Sequence, residues 1–188
     1  GSLKWGRELH VNGLPALVEG LVISNGVVYA GTGNGRCALS LETGDRIWEN
    51  TEWQQQEGAT STLTLGQGML IGSAQWKGLY GNDAQTGELK WHLNKNGLSN
   101  RGATGTMHDN LLYITSTQSL FIIDPVKGTV IVRKEYPFSV DVTSTPLVTD
   151  QEIIFGSVND GLIGVNKETL EIKWKFQTAD ALVYTAPY

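Results

Sequence analysis

The chain has 188 residues, 40% of them hydrophobic and 18% charged, a balance that suits a core-forming protein and excludes a disordered one. Fourteen basic residues against nineteen acidic ones give a net charge of −5, which argues against a nucleic-acid partner held by phosphate neutralisation. No apolar run is long enough to span a bilayer, and the single cysteine, Cys37, permits neither an intrachain disulfide nor a cysteine-rich metal site.

In chain order, Gly1-Ser2 reads as a cloning remnant, and Leu3-Lys4-Trp5 as the tail of an outer strand. Ser24-Asn25-Gly26 and Gly33-Asn34-Gly35 are turn signals around the strand-like run Val27-Val28-Tyr29-Ala30-Gly31. Gly31 to Gly35 is glycine-rich, but a strand rather than a helix follows it, so it reads as a hairpin and not a phosphate loop. Glu42-Thr43-Gly44-Asp45-Arg46-Ile47-Trp48 then closes the first unit.

The same order recurs. Ala59-Thr60-Ser61-Thr62 and Met69-Leu70-Ile71-Gly72-Ser73 lead to Gln85-Thr86-Gly87-Glu88-Leu89-Lys90-Trp91. Ala103-Thr104-Gly105-Thr106 and Leu111-Leu112-Tyr113-Ile114-Thr115 lead to Val126-Lys127-Gly128-Thr129-Val130-Ile131-Val132, where Val replaces Trp. In the last full unit strands are expected over 143–148, 152–157, 161–166 and 170–176, and Glu168-Thr169-Leu170 replaces Gly by Leu before Trp174. Tyr184-Thr185-Ala186-Pro187 repeats the start of a unit once more. The copies end at residues 5, 48, 91, 132 and 174, in steps of 43, 43, 41 and 42.

Four short strands per unit, 23 glycines for turns and no sustained 3.6-residue period predict an all-β chain with almost no helix. Four-stranded antiparallel units at this period predict a β-propeller with about four blades present. In each unit Gly44, Gly87 or Gly128 supplies the turn before the fourth strand. The ring of Trp48, Trp91 or Trp174 is expected to wedge between adjacent sheets as a blade-docking residue.

Ala38-Leu39-Ser40-Leu41-Glu42-Thr43-Gly44-Asp45-Arg46-Ile47-Trp48 resembles the tryptophan-docking motif of pyrroloquinoline-quinone (PQQ)-like propeller repeats, Ala-x-Asp-x-x-Thr-Gly-x-x-x-Trp. The second copy keeps the Asp as Asp83 and the third keeps Asp124 and Gly128. The fourth has Asn166 for the Asp and Leu170 for the Gly. Asp83 and Asp124 read as turn residues of this motif rather than catalytic groups. The resemblance covers essentially the whole chain as a propeller segment over 1–188. It implies that these blades are part of a seven- or eight-bladed ring, and a bacterial, periplasmic or otherwise extracytoplasmic setting. The partial array implies that the remaining blades, or a second copy of the chain, lie against it.

The three histidines, His10, His92 and His108, fall in different repeats without metal-ligand spacing, and read as surface or turn residues. Outside the repeat pattern, the connections between units carry aromatic and polar residues. Trp53, Gln54, Arg101, Asp141 and Tyr184 form the candidate binding patch. Trp53 and Phe138 have the alternative of packing under their own loops. The function expected is a non-catalytic scaffold or recognition domain for a protein or polymer partner, with no cofactor, or an accessory domain of a larger enzyme. The alternative implied by the resemblance is a fragment of a PQQ-dependent quinoprotein dehydrogenase holding PQQ with calcium; Cys37 alone cannot form the vicinal cysteine pair of the alcohol dehydrogenases of that type.

Overall fold

A computed structural model describes residues 1–52, 63–74, 78–94, 98, 105–140 and 145–177. All regular structure among them is β. A two-residue-strand hairpin comes first, β1 (His10–Val11) with β2 (Leu14–Pro15). Blade one is β3 (Val18–Ser24), β4 (Val27–Thr32), β5 (Gly35–Ser40) and β6 (Arg46–Asn50). Blade two is β7 (Leu63–Gly66), β8 (Met69–Ala74), β9 (Gly78–Asp83) and β10 (Leu89–Leu93). Blade three is β11 (Thr106–His108), β12 (Leu111–Ser116), β13 (Ser119–Asp124) and β14 (Thr129–Glu135). Blade four is β15 (Leu147–Val148), β16 (Glu152–Ser157), β17 (Gly161–Asn166) and β18 (Ile172–Phe176).

Each blade is a separate antiparallel sheet in chain order. The first and second strands meet in tight turns with left-handed residues: Asn25-Gly26 (φ 48° and 76°), Gln67-Gly68 (52° and 73°) and Asp109-Asn110 (48° and 62°). Such turns match the twist of the strands they join.

The hydrophobic cores lie between sheets. Tyr29, Ala38 and Trp48 of blade one pack with Leu63, Leu70 and Ala84 of blade two. Met69, Ile71 and Leu79 meet Leu112, Ile114, Phe121 and Ile123 at the next seam. Leu120, Ile122 and Tyr136 meet Ile153, Phe155, Ile163 and Leu170 at the third. The strict alternation of each third strand explains this. In β13, Leu120 and Ile122 face forward to blade four while Phe121 and Ile123 face back to blade two. Blades two and three are therefore buried on both faces, and the sheets form an open propeller array rather than a closed sandwich.

Antiparallel connection also sorts the loops. First-to-second and third-to-fourth turns lie at one end of each sheet. Second-to-third hairpins and the connections to the next blade lie at the other.

Candidate functional site

The repeat motif builds the seams. Trp48 Nε1 donates to Ala84 O (3.0 Å) of blade two, and Trp91 Nε1 to Pro125 O (2.9 Å) of blade three. Trp5, which precedes every strand, donates to Leu41 O of blade one (2.9 Å), although Leu3-Lys4-Trp5 is not itself in a strand. Each ring lies flat on a glycine of the following blade. A Cβ on Gly87 (φ 79°) would stand 2.6 Å from Trp48 Cδ2, and one on Gly44 (φ 72°) 2.8 Å from Trp5 Cδ2. Gly128 meets Trp91 in the same way. The other face of the ring needs a small residue in its own blade: Trp48 pairs across strands with Ala38, Trp91 with Gly81 and Trp174 with Gly164. Trp174 Nε1 reaches Glu152 Oε2 of its own blade instead (3.2 Å).

A β-bulge sets the aim of these side chains. In all four blades the register between third and fourth strands slips by one residue just before the Trp position, leaving Ile47, Lys90, Ile131 and Lys173 as the extra residues. A bulge re-aims the next side chain and spoils the exposed edge for pairing with another chain.

The motif carboxylates cap their own turns. Asp83 Oδ1 accepts from the amides of Gln85 (2.9 Å) and Thr86 (2.8 Å), and Asp124 Oδ1 from those of Val126 (2.9 Å) and Lys127 (3.0 Å). The Thr86 amide above all holds the Asp83 carboxyl below its ordinary range, as the Lys127 amide does for Asp124. Asn166 makes the same two bonds, at 2.9 Å each, with no charge.

One feature was not singled out in the sequence. Arg36 is fully buried in β5, where the aligned residues of the other blades are Leu79, Leu120 and Leu162. Its Nη1 crosses the seam to Tyr80 O (3.1 Å) and Asn82 Oδ1 (2.5 Å), and Asn82 Nδ2 donates to Gly87 O (3.0 Å), the glycine beneath Trp48. Burial lowers the Arg36 pKa to about 9. A charged residue in an otherwise leucine column was the available signal. The strap that leaves blade three decides the alternative given for Phe138. Tyr136 stacks on Phe138 (5.4 Å, 16°), its hydroxyl donates to Leu170 O (3.2 Å), and Lys175 Nζ lies 4.7 Å over Phe138. Phe138 is thus packed under its own connection.

The proposed patch residues Trp53, Gln54, Arg101, Asp141 and Tyr184 lie outside the described residues. His92 is on the outer strand and stacks on Tyr80 (4.1 Å, 7°). Cys37 is buried, and burial pushes its thiol up to about 11. Among the described residues no group of three His, Cys, Asp or Glu could hold a metal ion, and no helix is long and apolar enough to cross a membrane.

Residues 1–109 and again 79–186 match the family described as outer membrane protein assembly factor BamB. No curated protein matches the chain. Among solved structures, BamB from Moraxella catarrhalis is similar at 17% identity and a TM-score of 0.71, over 87% of this chain and 51% of that one. The Pan2 WD40 domain of Neurospora crassa is 13% identical with a TM-score of 0.67, over 89% and 52%. Quinohemoprotein alcohol dehydrogenase from Comamonas testosteroni is 15% identical with a TM-score of 0.65, over 85% and 35%. The chain thus spans about half the length of the BamB structure, and likeness at these identities establishes the propeller fold alone.

Proposed function

The chain belongs to the BamB family of PQQ-like propeller repeat proteins, and from that premise we propose that it is a non-catalytic scaffold that binds another protein or a polymer outside the cytoplasm. The observation that carries this reading is the employment of the motif's own polar groups. Asp83 and Asp124 are consumed by turn amides, and the indole N–H of Trp48 and of Trp91 by carbonyls of the next blade. The repeats thus supply a rigid frame, and recognition falls to the connections at the other end of the sheets. By their positions in the sequence Trp53, Gln54, Arg101, Asp141 and Tyr184 are assigned to those connections, as the contact patch of this proposal. The frame continues in further blades or a second copy of the chain, against which the exposed Leu21, Ile23, Ile172 and Phe176 would lie.

The test is capture of partners from a periplasmic extract by the wild-type chain and by a Trp53→Ala/Arg101→Ala variant. A partner held by the wild type and lost by the variant supports the patch. Equal capture by both removes the patch from the reading.

A second reading, a fragment of a PQQ-dependent dehydrogenase or an accessory segment of such an enzyme, is favoured by the quinohemoprotein likeness. The described residues do not fit a calcium–quinone site. Asp83 and Asp124 are spent on their turns, and Cys37 is a single buried thiol. Incubation with PQQ and Ca²⁺ followed by desalting distinguishes the two readings, since retained quinone absorbance would favour the dehydrogenase.

A further inference from the structure

Two outer faces of the array have the make-up of a seam. Leu21 of β3 is 60% exposed, whereas Leu63, which holds the same place in blade two, is 6% exposed. Phe176 of β18 is 62% exposed, whereas its equivalent Leu93 is 4% exposed and packs into the seam between blades two and three. Exposed apolar side chains at places that the interior seams bury mark a surface shaped for another sheet.

Each of these faces also carries one half of the indole joint. At the interior seams the indole N–H donates to the carbonyl three residues before the glycine on which the ring lies. Trp48 uses Ala84 O before Gly87, and Trp91 uses Pro125 O before Gly128. On blade one the corresponding acceptor and shelf, Leu41 O and Gly44, are taken by Trp5 of the same chain. On blade four the corresponding indole, Trp174, is half-buried and turns its N–H back to Glu152 Oε2 of its own blade (3.2 Å). The two indoles are held differently. Trp174 stands on β18, fixed by its pairing with β17. Trp5 stands outside the strands, and its segment is tied to the blade-one turn by two exposed ion pairs, Lys4 with Glu42 and Arg7 with Asp45. Exposed pairs of this kind hold weakly.

We propose that the Gly44 shelf is a docking site for Trp174 of a second copy of this chain, and that Trp5 plugs it in the single chain. Joined blade four to blade one at both ends, two four-bladed copies close a ring of eight, within the usual range for propellers. The chain spans 51% of the BamB structure, so two copies match one such ring in length. A contact between unlike faces closes when its rotation completes a circle and otherwise runs on as a filament. On docking, the Trp174 N–H passes from Glu152 to Leu41 O, and Leu21 and Phe176 are withdrawn from water. This ring builds on the frame of the proposed function rather than on its contact patch, and association of the chain with itself is measured with no other partner present.

Sedimentation equilibrium of the full chain, from micromolar to millimolar concentration, tests the plug. A group tethered by a few residues competes as if present at about millimolar concentration, so the wild type should pair only near that range. Trp5→Ala should lower the concentration of half-association by about tenfold or more, with a limit of two copies, and Trp5→Ala/Trp174→Ala should reverse the gain. An unchanged midpoint in Trp5→Ala, equal association of the single and double variants, or a mass that grows past two copies would overturn the proposal. If Trp5→Ala does not fold, the wild type at millimolar concentration decides. It should be a dimer there, and Leu21→Asp, placed on an exposed side chain, should return it to a monomer. A wild type that stays single, or a Leu21→Asp chain that still pairs, sinks the docking site.

Discussion

Leu170 occupies, across the seam from Val132, the place that Gly87 holds beneath Trp48. Val132 pairs with Ile122, whereas Trp48, Trp91 and Trp174 pair with Ala38, Gly81 and Gly164. One indole between two small residues has been exchanged for a Val with an Ile beside it and a Leu beyond it, all packed in one cluster with Tyr136. Leu170 keeps the left-handed backbone of the glycines it replaces, at φ 58°. That conformation costs a leucine about 1–2 kcal/mol, less than the roughly 2–5 kcal/mol at stake in emptying a buried leucine site.

The exchange predicts strong coupling. Val132→Trp alone meets Ile122 and Leu170 and should destabilise by about 1–3 kcal/mol through overpacking. Val132→Trp with Ile122→Gly and Leu170→Gly should recover most of that loss. Thermal or urea unfolding of the single, double and triple variants gives the coupling; additive losses would show that the three sites are independent.

Gly87→Ala should cost more than Gly26→Ala. Both have positive φ, 79° and 76°, so both carry the conformational penalty of about 1–2 kcal/mol. At Gly26 a Cβ meets nothing within 4 Å, while at Gly87 it stands 2.6 Å from Trp48. The difference in unfolding free energy between the two variants, together with a change in tryptophan fluorescence only for Gly87→Ala, checks it.

Arg36 and Asn82 should behave as a pair. Asn82→Ile removes the side-chain acceptor of a fully buried guanidinium and should destabilise by about 3 kcal/mol or more. Arg36→Leu with Asn82→Ile restores the apolar residues that the other seams carry and should be neutral or stabilising. A denaturant double-mutant cycle decides.

The turn caps set an acid limb. Asp83 and Asp124 are held below their ordinary carboxyl range by backbone amides, so their contribution is complete above that range and is lost as pH falls through the lowered folded-state values. Asn166 makes the same bonds without titrating. Asp83→Asn/Asp124→Asn should therefore flatten the loss of stability below about pH 4, measured as melting temperature against pH.

Cys37 should resist alkylation in the native state, because its thiol is buried and its pKa is raised to about 11. Labelling by iodoacetamide at pH 8, with and without denaturant, measures this.

The propeller was readable from the chain because its cause is local and periodic. Turn residues, four short apolar runs and a ring at fixed spacing recur every 41 to 43 residues, and each unit can only bury both faces against its neighbours. The turn role of Asp83 and Asp124 was readable for the same reason, since the groups they cap lie two or three residues away. What the tertiary structure decided depends on which residues meet across a seam. Arg36 meets Asn82 from 46 positions away, Leu170 meets the strap of Tyr136, and His108 faces Asp150. No spacing along one repeat encodes those pairings; they arise only when consecutive sheets stack and the bulge before each Trp position turns the following side chain toward the next blade.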